Sequence, residues 1–418
     1  MSFRPPKGTD DILPPASRRW RRVLAVFDDL AERYGYDLAI TPVFESTDIF
    51  ERGVGEGTDV VQKEMYTFQD KGGRSITLRP EATASIVRAY LNTGSPGPMK
   101  LAYSGPMFRY ERPQAGRRRQ FWQVGVEYLG EDAAEADVEV IDLGYRFYDA
   151  IGLGGLEVQI NSLGDPETRV AYRAALTGYL TTIADQLTEE SRRRIATNPL
   201  RVFDSTPDRD LLVGAPHPVD HLSEAARRHQ EQVQQGLDRL RIPYVQKPQL
   251  VRGLDYYTRT VFEYVATGLD AAQNAVGGGG RYDGLAEAIG GRHVPAVGFS
   301  LGIDRILLAL GEAPDPAPAL DAFVVVASDD RWTDGFDLVA ELRSAGLRAD
   351  LDLARRSVKA QFKAADRRNA ALALVVGEEW EQGELTAKQL ASGAEERVPR
   401  LRLAAWIRAV RGRPHDVP

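Results

Sequence analysis

Residues 104–130 read SGPMFRYERPQAGRRRQFWQVGVEYLG. Pro113 and Gly116 interrupt the middle of this stretch, and the pattern predicts two strands joined by a long basic loop. Side chains on a strand alternate between its two faces. The face of the second strand that is expected to join the core carries Trp122, Val124, Val126 and Tyr128. The opposite face carries Phe121, Gln123, Gly125 and Glu127.

This second face suits a ligand better than it suits a core. It combines an aromatic ring, an amide, a glycine and a carboxylate, which makes a good floor for a polar molecule. The incoming strand and the loop add five guanidinium groups, each a planar fork suited to phosphate oxygens. These arginines are Arg109, Arg112, Arg117, Arg118 and Arg119. For a hairpin taken alone, an exposed amphipathic hairpin with a solvated basic loop is the simpler interpretation, but the rest of the chain favours a site.

Composition limits the class of protein. The chain has 418 residues, enough for two or three domains, and it contains no cysteine, which excludes disulfides, thiolate nucleophiles and cysteine-bound zinc. No apolar run approaches the ~20 residues that a membrane span needs, and the N-terminus shows no secretory signal. We therefore expect a cytoplasmic protein with no membrane partner. The net charge of −7 means that a nucleic-acid partner would need local basic patches.

Two further segments carry polar groups at predicted helix starts. In Leu78–Thr83 (LRPEAT), Glu81 and Thr83 either serve only the first helical turn or also face a ligand, and the sequence leaves both interpretations open. In Val297–Leu308 (VGFSLGIDRILL), a buried strand runs into a helix with Arg305 in its first turn. A cation there opposes the helix dipole. Arg305 therefore requires an anionic partner, either a carboxylate such as Asp304 or a phosphate.

The domain organisation is predicted from changes in composition and in the succession of strands and helices along the chain. We expect a first domain over residues 1–320, split by a mostly helical insertion at about 166–247, and a Pro/Ala linker at 311–320. Residues 321–418 repeat a strand-helix-strand rhythm and predict a compact α/β domain. On the second helix of this domain a basic stripe is expected, either as a solvated surface or as a contact for nucleic-acid phosphate. The stripe consists of Arg355, Lys359, Lys363 and Arg367.

These pieces, in this order, resemble class II aminoacyl-tRNA synthetases and specifically the histidyl-tRNA synthetase family. The hairpin is similar to the family's motif 2, Gly298–Arg305 to motif 3, and the region around Thr41 to motif 1, the dimer-forming segment. Two further segments resemble the family's histidine-specific signatures: Leu250–Tyr257 (LVRGLDYY) and Gly279–Leu285 (GGRYDGL). Three positions depart from the family's usual residues without removing a charge or donor: Ala82, Trp122 and Asp304.

The resemblance implies an α/β (α+β) fold: an antiparallel-sheet catalytic domain with a helical insertion, and a C-terminal α/β anticodon-binding domain. It implies ATP-dependent ligation of L-histidine to its tRNA through a histidyl-adenylate, with Mg²⁺ bridging the phosphates and no protein ligand assigned to the metal. It also implies a homodimer. The alternative is a non-catalytic, histidine-sensing regulatory paralogue of histidine biosynthesis, which resembles the catalytic domain but usually lacks the arginine of the LVRGLDYY signature and the C-terminal domain.

The resemblance also implies roles for individual residues. Catalysis is expected from Arg109 and Arg252. Histidine binding is expected from Glu81, Ala82, Thr83, Arg109, Gln123, Glu127, Arg252, Tyr256, Tyr257 and Tyr282. ATP binding is expected from Arg109, Glu111, Arg117, Phe121 and Arg305. Contacts with tRNA are expected from Gln114 at the acceptor end and from Arg355, Lys359, Lys363 and Arg367 near the anticodon.

Overall fold

The computed structural model describes residues 3–55, 57–205, 207–250, 254–269, 274–311 and 320–412. Contacts between α-carbons divide the chain into two compact units, residues 1–313 and 314–418. Within the described residues, no helix is both long enough and apolar enough to cross a membrane.

The first unit combines helices with two sheets. Its helices are α1 (Ala16–Arg33), α2 (Thr47–Val54), α3 (Thr83–Thr93), α4 (Ala134–Ala150), α5 (Pro166–Thr182), α6 (Glu189–Thr197), α7 (Glu224–Leu240), α8 (Leu285–Ala288) and α9 (Ile303–Ala309). Its strands are β1 (Asp37–Leu38), β2 (Phe44–Ser46), β3 (Tyr66–Gln69), β4 (Ser75–Leu78), β5 (Met99–Phe108), β6 (Gln120–Leu129), β7 (Leu156–Ser162), β8 (Tyr244–Gln246), β9 (Thr258–Ala266), β10 (Ala275–Arg281) and β11 (Ala296–Gly302). Short helical turns cover Val60–Glu64, Ala184–Gln186, Pro199–Asp204, Arg209–Leu212 and Pro218–His221.

The main sheet positions the site. Its eight strands, counted over the described residues, run in the order β1-β5-β6-β11-β10-β9-β7-β8. The inner pairs are antiparallel, and the edge strands β1 and β8 pair in parallel with their neighbours. The predicted hairpin is confirmed: β5 and β6 pair from Met99–Leu129 to Phe108–Gln120. A smaller sheet has the order β2-β4-β3.

The two faces of the main sheet differ as the alternation in β6 predicts. Val124 and Val126 are fully buried in a core that also contains apolar residues of α1, α4 and α7. Trp122 and Tyr128 pack against this core from its margin. Helix α1, whose apolar residues recur with the 3.6-residue period of a helix, contributes Phe27 at 1% exposure. The opposite face of β6 is left for α3 and the segment before β9, and this face holds the cavity described below.

A buried ion pair fixes the end of β10. Arg281 and Asp137 both have side chains with no exposed surface, and Nη2 of Arg281 donates to Oδ2 of Asp137. Arg281 also donates to the backbone carbonyls of Glu131 (2.9 Å) and Ala133 (3.1 Å), at the start of α4. His229 of α7 contacts the same carboxylate at 3.4 Å. The pair therefore links β10 to two helices, and the Arg281 guanidinium holds the pKa of Asp137 at about 2 against the effect of burial, which raises it.

The second unit has its own mixed sheet. Its strands are β12 (Leu320–Val326), β13 (Ala349–Leu351), β14 (Ala370–Val376), β15 (Glu384–Gln389) and β16 (Glu395–Pro399). Its helices are α10 (Trp332–Ser344), α11 (Val358–Arg367) and α12 (Leu403–Arg411), with short turns at Asp329–Arg331, Glu378–Gln382 and Arg400–Arg402. The order is β13-β12-β14-β15-β16, parallel over the first three strands and antiparallel over the rest. This strand-helix-strand arrangement confirms the predicted α/β fold of the region.

The basic stripe is shorter than predicted. Helix α11 begins at Val358, so Arg355 precedes it instead of lying on it. Arg355 has a left-handed φ of 49°, and its guanidinium carbon lies 4.6 Å from the ring centroid of Trp332. The chain turns sharply after β13, and in this turn the N–H of Arg355 donates to the carbonyl of Asp352. The four-residue spacing of basic residues therefore starts in the turn and only later continues along the helix. Lys359, Lys363 and Arg367 are exposed on α11.

Candidate active site

A cavity of about 360 Å³ opens on the polar face of the main sheet. Its floor comes from β6 and β11, whose residues pair in register, with Glu127 opposite Gly298 and Gln123 opposite Gly302. Its walls come from the start of α3, the loop after β5 and the segment before β9. The volume is in the range of small-molecule sites. The sheet face that the alternation predicted as a ligand floor is therefore the floor of a cavity.

Gly298 is required by the position of Glu127. A β-carbon at residue 298 would lie 1.8 Å from Oε2 of Glu127, much closer than atoms can approach. Any side chain on this residue would therefore displace the carboxylate from the floor. Gly298 on β11 thus leaves the space that the carboxylate of Glu127, on the neighbouring strand β6, occupies.

Glu127 is the central acid of the cavity and is only 1% exposed. Its Oε1 accepts a hydrogen bond from the hydroxyl of Thr83 at 2.7 Å, and its Oε2 accepts one from the hydroxyl of Tyr282 at 2.5 Å. Burial raises the pKa of Glu127 to about 8, while these two hydrogen bonds act in the opposite direction. A carboxyl group with such a pKa in a cavity is typical of a functional site.

Glu81 and Thr83 lie at the start of α3 and also border the cavity. The carboxylate of Glu81 accepts from the backbone N–H groups of Thr83 (2.7 Å) and Ala84 (3.0 Å), so it satisfies donors at the start of α3. The same side chains also line the cavity. Burial raises the pKa of Glu81, which is 4% exposed. Two buried acids therefore lie at one end of the cavity.

Tyrosines enclose this acidic end. The rings of Tyr256 and Tyr257 lie 4.7 Å apart between centroids, and those of Tyr256 and Tyr282 lie 5.6 Å apart. Sequence reasoning missed a fourth, Tyr103 of β5, which is 4% exposed and lines the cavity. Tyr103 pairs with Gly125, where a β-carbon would lie 2.3 Å from its hydroxyl. The register of the hairpin was the signal that could have found it, because Gly125 leaves the space that the ring fills.

Guanidinium groups occupy the other end. Arg109 donates from Nε to the carbonyl of Pro80 at 2.9 Å, and its guanidinium carbon lies 5.6 Å from the ring centroid of Phe121. Arg305 donates to the carbonyl of Ala275 at 2.7 Å. Burial and then the nearby charge of Arg117 lower the pKa of Arg305. Like charges placed together in a partly buried cavity favour an anionic ligand.

Asp304, considered above as a partner of Arg305, pairs with another arginine. Asp304 pairs with Arg118 of the hairpin loop at 2.9 Å, and its side chain is 8% exposed. Arg117 pairs with Glu111 at 3.4 Å. Asp304 is therefore paired with the hairpin loop, and the carboxylates whose charges act on Arg305 are those of Glu111 and Glu263.

The structure brings together the predicted binding residues that it describes. Lining the cavity are Glu81, Ala82, Thr83, Arg109, Glu111, Arg117, Phe121, Gln123, Glu127, Tyr256, Tyr257, Tyr282 and Arg305. Arg252 lies outside the described residues. Gln114 lies in the hairpin loop, where it exchanges backbone hydrogen bonds with Arg117. Lining residues that the sequence did not single out include Tyr103, Glu263 and Ser300.

The fold and the cavity are those of a class II aminoacyl-tRNA synthetase. The hairpin β5–β6 lies in an antiparallel sheet, and the cavity on this sheet has arginines at one end. A sequence model of the histidyl-tRNA synthetase family matches residues 8–306, and a model of an anticodon binding domain matches residues 321–410. The chain therefore belongs to the histidyl-tRNA synthetase family.

Individual relatives are similar to this protein over nearly the whole chain. A histidine–tRNA ligase of Geobacillus kaustophilus is 46% identical and covers 97% of this chain and 98% of its own length. One of Desulforudis audaxviator is 49% identical, with 94% and 95% covered. The crystal structure of apo histidyl-tRNA synthetase from S. aureus superposes with a TM-score of 0.79 at 38% identity, covering 97% of this chain and all of that one.

Proposed function

We propose that the protein joins L-histidine to its tRNA in two ATP-dependent steps, through a histidyl-adenylate. One observation carries the proposal beyond family membership. A single cavity holds a buried carboxylate with hydroxyl partners at one end and guanidinium groups at the other. These two ends match the two substrates, an amino acid with an imidazole ring and a nucleotide with a charged phosphate chain.

The acidic end supplies the groups that recognise histidine. A neutral imidazole presents one N–H donor and one nitrogen acceptor. Glu127 would accept from the donor, and a tyrosine hydroxyl, which we assign to Tyr257, would serve the other nitrogen. Glu81, Thr83 and Gln123 would hold the α-ammonium group beside it. A buried polar pocket rejects analogues that leave its groups unpaired far more strongly than shape alone does.

The basic end supplies the groups that stabilise the first reaction. A carboxylate oxygen of histidine attacks the α-phosphorus of ATP, a new phosphorus–oxygen bond forms, and the bond to pyrophosphate breaks. Arg109 would neutralise charge on the α-phosphate, together with Arg252 of the LVRGLDYY signature. Arg117 and Arg305 would hold the outer phosphates, with Glu111 orienting Arg117 and Phe121 stacking on adenine.

The Mg²⁺ ion in the proposal arrives with the nucleotide. Among the described residues, no three histidine or acidic side chains lie close enough together to hold a metal ion. Mg²⁺ commonly binds through substrate phosphates, one or two carboxylates and water. The ion would screen the phosphate charges, while the protein's own contribution comes from its arginines.

The second step requires tRNA. The 3′-terminal ribose hydroxyl attacks the carbonyl carbon of the adenylate, the new ester bond forms, and AMP leaves. Gln114 in the hairpin loop would approach the acceptor end. Residues 321–410 match an anticodon binding domain, and the exposed Lys359, Lys363 and Arg367 of α11, with Arg355 before it, would contact phosphate there.

The regulatory paralogue is the weaker alternative. Relatives named histidine–tRNA ligase match 94% or more of this chain, including its C-terminal unit. The anticodon binding domain in particular favours an RNA ligand over a sensor of free histidine.

We also propose that the protein works as a homodimer in the cytoplasm, where tRNA charging serves translation. The segment that resembles motif 1 exposes several apolar side chains close together in sequence: Leu38 (67%), Ile40 (86%), Val43 (38%) and Phe44 (51%). Several large apolar side chains exposed in one short segment are typical of a protein interface. A second copy of the chain, which would present the same segment, is the simplest occupant.

Amino-acid-dependent ATP–pyrophosphate exchange, measured with each of the twenty amino acids, tests the activity. Exchange with histidine alone, followed by transfer to tRNA, is expected. Exchange with another amino acid would contradict the specificity, and histidine binding without exchange would favour the sensor.

A further inference from the structure

One arginine of the insertion contacts the wall of the cavity from outside. Helix α5 begins at Pro166, and the side chain of Asp165 caps it by accepting from the N–H of Thr168 at 2.9 Å. This places Arg169 in the first turn. Its guanidinium donates to the backbone carbonyl of Tyr257, the residue whose ring lines the cavity. The ring and the carbonyl of one residue are thus held by different parts of the fold.

A second contact reinforces the first. Arg201, in the helical turn Pro199–Asp204, pairs with the carboxylate of Asp255 at 3.3 Å. On the other side, the N–H of Asp255 donates to the carbonyl of Val54 at 3.2 Å. Burial lowers the pKa of Arg169, and the charge of Asp255 opposes that shift. The insertion therefore holds the segment 254–257 at two points that are two residues apart.

The segment itself lies outside the strands. Residues 254–257 precede β9, which begins at Thr258, so none of them belongs to the main sheet. They also separate two cavities. Leu254 and Tyr257 line both the active-site cavity and a second one of about 220 Å³, which Arg169 and Arg201 line from the insertion side. A displacement of this thin wall would change the shape of the acidic end of the active site.

We propose that Arg169 is a positioning residue for the amino-acid pocket: by holding the Tyr257 carbonyl, it lets the insertion set the affinity for histidine. The inference rests on the proposed function. Arg169 acts through Tyr257 and contacts no substrate. The basic end of the cavity, built from the hairpin loop and α9, lies outside this contact, so nucleotide binding should be independent of it.

The test compares four proteins in histidine-dependent ATP–pyrophosphate exchange: wild type, Arg169→Ala, Arg169→Lys and Arg173→Ala. Arg173 is the matched control, because it lies one turn along α5, lines the same second cavity and donates to Thr197 inside the insertion. For Arg169→Ala we expect a KM for histidine about tenfold higher, as fits the loss of a charged hydrogen bond. The KM for ATP and the Tm should stay close to wild type. Lysine can still donate one bond to the carbonyl, so Arg169→Lys should give an intermediate KM.

Three outcomes decide the matter. An unchanged KM for histidine in Arg169→Ala overturns the inference. Equal changes in both KM values, shared by Arg173→Ala, would show a purely structural role and overturn it as well. If Arg169→Ala fails to fold, Arg169→Lys carries the test, and a wild-type KM for histidine overturns the inference. A wild-type protein that does not activate histidine would instead contradict the proposed function, so the two failures are distinguishable.

Discussion

The hydroxyl of Tyr282 donates a hydrogen bond to Oε2 of Glu127 at 2.5 Å, between side chains that are 2% and 1% exposed. The two residues are 155 positions apart: Glu127 lies on β6, and Tyr282 directly follows β10. Their contact places an acid where water has little access. Much of the chemistry proposed for the site depends on that acid.

The stability of the protein without substrates should depend on pH through Glu127. Its pKa is about 8 in the folded protein and 4.5 without the effects of folding, so between these values the folded state binds more protons. The stability that this proton uptake contributes is fully present below the lower value and is lost as pH rises towards about 8.

Urea unfolding of wild type and Glu127→Gln checks this expectation. The variant cannot titrate at this position, so the stability of wild type relative to the variant should fall steadily as pH is raised from about 5 to about 8. Glu135→Gln, which alters an exposed acid on α4, serves as the control and should run parallel to wild type. Parallel behaviour of Glu127→Gln would contradict the burial of this carboxyl group.

The ion pair between Arg281 and Asp137 should be costly to break. Arg281→Met leaves a fully buried carboxylate without its main partner, and we expect a loss of about 3 to 5 kcal/mol in the free energy of unfolding. The double variant Arg281→Met with Asp137→Leu should lose less, because it removes both charges. Denaturant unfolding measures both values. A single variant as stable as wild type, or a double variant that loses more than Arg281→Met alone, would argue against a direct pair.

Helix α11 should matter for RNA and not for adenylate formation. Lys363→Glu reverses an exposed charge, and we expect aminoacylation of tRNA to fall about fivefold in kcat/KM with a weaker salt dependence, while exchange without tRNA is unchanged. Arg402→Glu makes the same change of charge at another exposed position of this unit and is expected to have little effect. If both variants lower kcat/KM for aminoacylation equally, the charge of the whole unit matters for tRNA binding and a specific contact between α11 and tRNA is contradicted.

The proposed dimer depends on the exposed apolar segment. Ile40→Glu places a charge on a side chain that is 86% exposed in a single chain, so it should reduce the mass measured by light scattering towards that of a monomer. Val170→Glu changes a similarly exposed apolar residue on α5 and should leave the mass unaltered. If the mass of Ile40→Glu stays at that of a dimer, the interface lies elsewhere.

Local patterns in the sequence predicted the parts of the fold that local physics determines. The alternation from Phe121 to Tyr128 separated core from cavity correctly, because strand geometry fixes which side chains share a face. The same reasoning failed at Arg355, where four-residue spacing ran across a turn before α11 begins. Spacing alone does not locate the first residue of a helix.

Other features depend on contacts between distant segments. Nothing near Arg281 in the sequence indicates Asp137, and nothing near Arg169 indicates Tyr257. Tyr103 is an intermediate case, since the hairpin register that opposes it to Gly125 could be drawn from the sequence once the strand ends are known. The family resemblance supplied the expected substrates, whereas the arrangement of acids and tyrosines around them required the tertiary structure.

The most direct test of the account is the KM for histidine of Glu127→Gln in ATP–pyrophosphate exchange. The substitution keeps the size of the side chain and removes its capacity to ionise, so the pocket can no longer offer two acceptor oxygens to the imidazole ring. We predict a rise of about a hundredfold in the KM for histidine, with the KM for ATP nearly unchanged and Glu135→Gln indistinguishable from wild type. A KM for histidine equal to that of wild type would contradict the claim that Glu127 recognises the imidazole ring.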